Sequence, residues 1–137
     1  MSFDIIKNRI VTRLQGLGYA ESQSIDIKNA PANEYNNTFI IKVLSGAMTD
    51  ESETLIDRFY DIQDWQIQIA FERSEQNDII NRDDAQRKKD AILKDLDNPA
   101  NWEGFARILK YKGWKVEELP NYFLLTINLK IVDTIIY

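Results

Sequence analysis

The chain has neither cysteine nor histidine among its 137 residues. That excludes disulfides, a thiolate nucleophile, zinc sites of the usual Cys/His kind and the commonest general base near neutral pH. Glycine and proline are scarce, at five and three residues. The GLG at 16–18 closes a helical pattern instead of opening one, so it is no phosphate loop, and GxSxG, HExxH, EF-hand and CxxC patterns are missing as well. No apolar run approaches the ~20 residues that a membrane helix needs. The opening MSFDIIKNRI carries Asp4 and no small-residue cleavage site, so it does not read as a secretion signal, and a protein that stays in the cytosol is expected.

What remains is the composition of an ordinary globular protein, 44% hydrophobic and 28% charged. Its length suits one domain over 1–137, large enough to bury roughly 65–70% of the surface that the unfolded chain exposes. With 22 acidic against 17 basic residues the net charge is -5, the wrong sign for a general nucleic-acid binder, which neutralises phosphates with Lys and Arg.

Residues 2–17 carry Phe3, Ile6, Ile10, Leu14 and Leu17 at spacings of three and four, which predicts an amphipathic helix with Ser2 as N-cap and Gly18 as C-cap. TFIIKVL at 38–44 reads as a strand. SGAMTDESET after it, with Gly46, Asp50, Glu51 and Glu53, reads as a solvated connection or the tip of a long hairpin. In DIQDWQIQIAFE, Trp65, Ile67, Ile69 and Phe71 alternate with Asp64, Gln66 and Gln68, a strand with one core face and one uncharged polar face. If TFIIKVL and WQIQIAF pair, the long connection is a projecting arm.

A second helix is expected over 82–97, with Asn81 as N-cap and Ala85, Lys89, Ile92 and Leu96 inward. Asp83 and Asp84 resemble a catalytic carboxylate pair, but neighbours on a helix point about 100° apart, and helix capping explains them better. Asn98 and Pro99 end that helix, and a short apolar helical turn is expected over NWEGFARILKYKG. Trp102, Tyr111 and Trp114 suit a core better than a stacking platform for bases, which would require a basic groove. Two closing strands flank Pro120 and Asn121, and the last repeats the uncharged polar face at Thr126 and Asn128.

The expected fold is α+β, an antiparallel sheet of about four to five strands with two main helices packed on one face, which leaves the glutamine face uncovered. The acids show no metal-ligand spacing, so no metal, no cofactor and no enzymatic activity are expected. Uncharged polar and β-branched residues on long strands suit either water or a second subunit.

The order of a helix IIKNRIVTRLQGLG, a strand TFIIKVL, a long strand RFYDIQDWQIQIAFERSE, a polar helix DDAQRKKDAILKDL and a closing pair GWKVEELPNYFLLTINLKI resembles the tail terminator, or tail completion, proteins of long-tailed bacteriophages. The resemblance covers nearly the whole chain. It implies a structural protein of the virion, assembled in the bacterial cytoplasm. Such proteins form a ring, typically a hexamer, on the head-proximal end of the tail tube, end its polymerisation and present a surface to the head connector. The implied partners are copies of itself, the tube protein and the head completion protein, with DNA passing through unbound. Subunit or tube contacts are then expected at Asp50, Glu51, Glu53, Arg58, Tyr60, Gln66, Gln68, Arg73, Thr126 and Asn128. A head-closure or head-tail joining protein, and a small acidic adaptor or inhibitor that binds a basic protein partner through the 45–60 arm, are the alternatives.

Overall fold

The computed structural model describes residues 3–22, 36–50, 58–102 and 108–136. Helix α1 spans Phe3–Gly16, and its apolar spacing buries Ile6, Ile10 and Leu14. Phe3 stays half exposed but stacks on Trp65, with ring centroids 5.4 Å apart. The helix stops as expected: Gly18 takes φ 97°, the Tyr19 N–H donates to the Leu14 carbonyl, and the Gly18 N–H donates to that of Gln15. Leu17 lies beyond the last helical residue and is exposed, because the 3.6-residue period no longer governs its direction. The proposed cap Ser2 lies outside the described residues.

Helix α2 runs Asp78–Leu96 after a short 3-10 turn at Glu75–Asn77, so it begins four residues earlier than expected. Asn81 is therefore no cap: it sits inside the helix, and its Oδ1 accepts from the Ser74 N–H at 3.0 Å. Asp78 is the acid of the first turn, and Asp84 pairs with Arg87 at 3.0 Å. The inward stripe Ala85, Lys89, Ile92 and Leu96 is buried as read. Lys89 tolerates this by carrying its ammonium outward to Asp90 at 2.7 Å and over the Trp114 ring at 4.0 Å. Arg13 joins the two helices through a fork on Asp95, at 2.9 and 2.6 Å.

Five strands form one sheet in the order β1-β2-β3-β5-β4: β1 (Ala20–Glu21), β2 (Thr38–Asp50), β3 (Arg58–Glu72), β4 (Ile108–Glu118) and β5 (Tyr122–Ile136). The class is α+β. The sheet is mixed, however, because the two residues of β1 pair parallel with Thr38 and Phe39. The other ladders are antiparallel. One core cluster joins Ile6, Ile10 and Leu14 of α1 and Ala85, Ile92, Leu93 and Leu96 of α2 to one parity of the strands: Phe39, then Trp65 to Phe71, then Phe123 to Ile131.

Two segments differ from the sequence reading. The expected connection after Leu44 is strand as far as Asp50, paired down to Asp50 opposite Phe59. The expected helical turn at NWEGFARILKYKG is a 3-10 turn over Pro99–Trp102, with β4 under way from Ile108. A bulge interrupts each of these two strands. Val43 faces Trp65 but Ser45 faces Asp64, so Leu44 is an extra residue that breaks the alternation where the strand seemed to stop. Tyr111 faces Leu129 and Gly113 faces Asn128, so Lys112 is the extra residue in β4, and positions 111 and 114 fall three apart as they would on a helix.

Candidate interaction face

On the strand face opposite the core cluster, the Asp64–Glu72 stretch of β3 places five pairs in register with β5: Asp64 with Lys130, Gln66 with Asn128, Gln68 with Thr126, Ala70 with Leu124 and Glu72 with Tyr122. The alternation of β3 brings the glutamines here, and the pairing of two long strands doubles them with Thr126 and Asn128. Gln66 Nε2 donates to Asn128 Oδ1 at 3.3 Å, a long bond between two half-buried amides. At the charged end Lys112 reaches Asp64 at 3.2 Å. Both bulges border this end, where Leu44, Asp64, Trp65, Lys112, Asn128 and Leu129 line a shallow hollow of about 250 Å³.

The opposite end corrects the expectation of an uncovered face. Ala70 and Tyr122 are fully buried and Leu124 nearly so, in a second cluster with Leu119 packed against it. Thr126 is 1% exposed, and its Oγ1 has no hydrogen-bond partner among the described residues. The sequence carried a signal for this: YFLL at 122–125 is an unbroken apolar run, the mark of a strand buried on both faces.

Of the other expected contact residues, Arg58 and Tyr60 share the strand parity of Gln66 and belong to this face farther along β3, whereas Asp50 pairs with Phe59 on the other parity. Arg73 is engaged within the chain: Nε donates to Asp78 at 2.8 Å, Nη1 donates to the Leu119 carbonyl at 2.7 Å, and the guanidinium lies 5.3 Å from the Phe123 ring centre. Arg82 completes the cluster by contacting Glu118 at 2.6 Å and Asp78 at 3.6 Å, which ties the start of α2 to the β4–β5 turn. Arg58 and Tyr60 lie opposite Ile136 and Thr134 at the far end of the β3–β5 ladder. Glu51 and Glu53 lie outside the described residues.

Among the described residues no three acidic side chains come together as a metal site requires, and no helix is long and apolar enough to cross a membrane. Comparison with known proteins finds no family model that matches the chain and no characterised protein that matches its sequence.

Proposed function

We propose that the protein is a structural component of a bacteriophage tail, a terminator that forms a ring on the head-proximal end of the tail tube and offers the head its attachment surface. The observation that carries this reading is the half-buried row Gln66, Gln68 and Asn128 at the centre of the sheet, on the face away from the core cluster. A purely solvated face more often carries charge, whereas uncharged amides can exchange water for a subunit of the ring or of the tube at small cost. The order of elements, helix, long hairpin, helix, closing hairpin, is the one on which the likeness to tail terminators rests.

Charge adds support. Six copies at -5 each sum to about -30, and an acidic lining repels DNA in transit, within the ~8 Å over which physiological salt leaves charges visible. The tube protein and the head completion protein are the partners, and the reading calls for no enzymatic step. Negative-stain imaging with light scattering, from dilute to concentrated protein and with tail tubes added, tests it. Closed rings, and tubes capped at one end, are expected. Monomers at every concentration, with bare tubes, would overturn it.

A further inference from the structure

The sheet has two long outer strands, and both carry exposed apolar side chains. Among the described residues β1 flanks β2 only at Thr38 and Phe39, and no strand lies beyond β4. Three of the exposed large apolar side chains sit on these two strands: Val43 at 38%, Leu44 at 55% and Trp114 at 41%. Ile41 of β2 and Val116 of β4 lie only partly buried against the core cluster. The apolar face of the sheet therefore runs out to both edges without being closed at either.

The two edges also match in direction. β3 is antiparallel to β2 and to β5, and β4 is antiparallel to β5, so β4 runs opposite to β2. A second copy set beside the first in the same orientation brings its β4 antiparallel to β2. In the register of the sheet Ile41, Ile67, Ile127 and Trp114 share a row, so an unstaggered neighbour places its Trp114 against Ile41. Edge lysines and bulges ordinarily deter indiscriminate strand addition. Here the bulges at Leu44 and Lys112 flank one row, that of Trp65 and Leu129, so an entering strand must bend at that level. The β4 edge of another copy does bend there.

We propose that copies of this chain join head to tail by pairing β2 of one with β4 of the next, a heterologous contact that continues both the sheet and its apolar face. Pairing of this kind leaves the Gln66–Asn128 face free for the lumen or for the tube. Edge pairing shares with the ring reading the need for self-association, and requires nothing of the tail.

The cysteine-free chain allows a direct test. Opposed residues of adjacent antiparallel strands lie ~4.5–5.5 Å apart, within disulfide reach. Ile41→Cys protein is mixed with Trp114→Cys protein and oxidised, with Val43→Cys and Val116→Cys as the two-residue shifts. The expected result is a disulfide between a β2 cysteine and a β4 cysteine in one of these mixtures, and none from either protein alone. A chain carrying the matched pair gives a ladder of covalent multimers. Disulfides only between like positions, or from no mixture, overturn the proposal.

Wild-type hydrogen exchange guards against variants that fail to fold. Backbone amides at 40–44 and 112–116 slow by about tenfold once concentration exceeds the dissociation constant tenfold. Unchanged exchange in protein that scatters as an oligomer overturns edge pairing. Rings without β2–β4 disulfides refute the edge contact and leave the ring standing, while monomers without disulfides refute both.

Discussion

On one face of the β3–β5 ladder Trp65, Ile67, Ile69 and Phe71 meet Leu129, Ile127, Leu125 and Phe123, and all of them are buried in the cluster that holds both helices. On the other face the intervening pairs change along the strands, from Asp64 with Lys130, through Gln66 with Asn128 and Gln68 with Thr126, to Ala70 with Leu124. The first face is uniform because a single core requires it. The second is graded over this stretch: charged at Asp64 and Lys130, neutral in the middle with Gln66, Gln68 and Asn128 half-buried and Thr126 buried, apolar and buried at Ala70 and Leu124. Strand alternation fixes which residues share a face, and what lies against that face decides how each stretch of it is used.

The contrast can be broken most strongly at Trp65. Its ring is fully buried, stacks on Phe3 and donates to Gln63 Oε1 at 2.8 Å, so Trp65→Ala should cost about 3–5 kcal/mol in urea unfolding. At the buried end of the opposite face, Leu124→Ala should cost about 2–4 kcal/mol. A loss under ~0.5 kcal/mol there would mean that this face is solvated throughout.

Smaller effects sharpen the comparison in the middle of the face. Thr126→Val replaces a buried hydroxyl that lacks a partner among the described residues with a methyl of similar shape, and should raise stability by up to about 1 kcal/mol by thermal unfolding. A loss of more than ~1 kcal/mol would mean that the hydroxyl is bonded. On the cluster side, burial raises the pKa of Tyr19 above its ordinary value near 10. The neutral phenol is then favoured in the folded state. Its contribution is complete below pH ~10 and is lost as pH rises from there through the higher folded pKa, a decline that Tyr19→Phe should reduce.

Much of this contrast was legible in the sequence. The period of two in WQIQIAF and LLTINLKI assigned each residue to its face, and the stripes of α1 and α2 named most of their buried members, missing Leu93 and overreaching at Leu17 and the half-exposed Phe3. Bulges hid the rest, since one extra residue at Leu44 or Lys112 destroys the alternation by which a strand is recognised. The parallel β1 is two residues long and carries no period at all. Arg73, expected at a subunit or tube contact, is held within the chain instead, because folding brings Asp78 at the start of α2 together with Glu118 and Leu119 at the end of β4. The burial of Tyr122 and Leu124 was visible as an apolar run, yet the alternating residues beyond it suggested a face open along its whole length.

Gln66→Arg, assayed for unfolding and for tail completion side by side, addresses the division of labour between the faces most directly. Gln66 is half-buried, and its bond to Asn128 is long. The variant should keep its unfolding midpoint, with a change in stability under about 1 kcal/mol, while tails run past their normal length or fail to join heads. Normal tails joined to heads in that variant would contradict the assignment of the glutamine face to assembly. Global unfolding would show instead that the face belongs to the core.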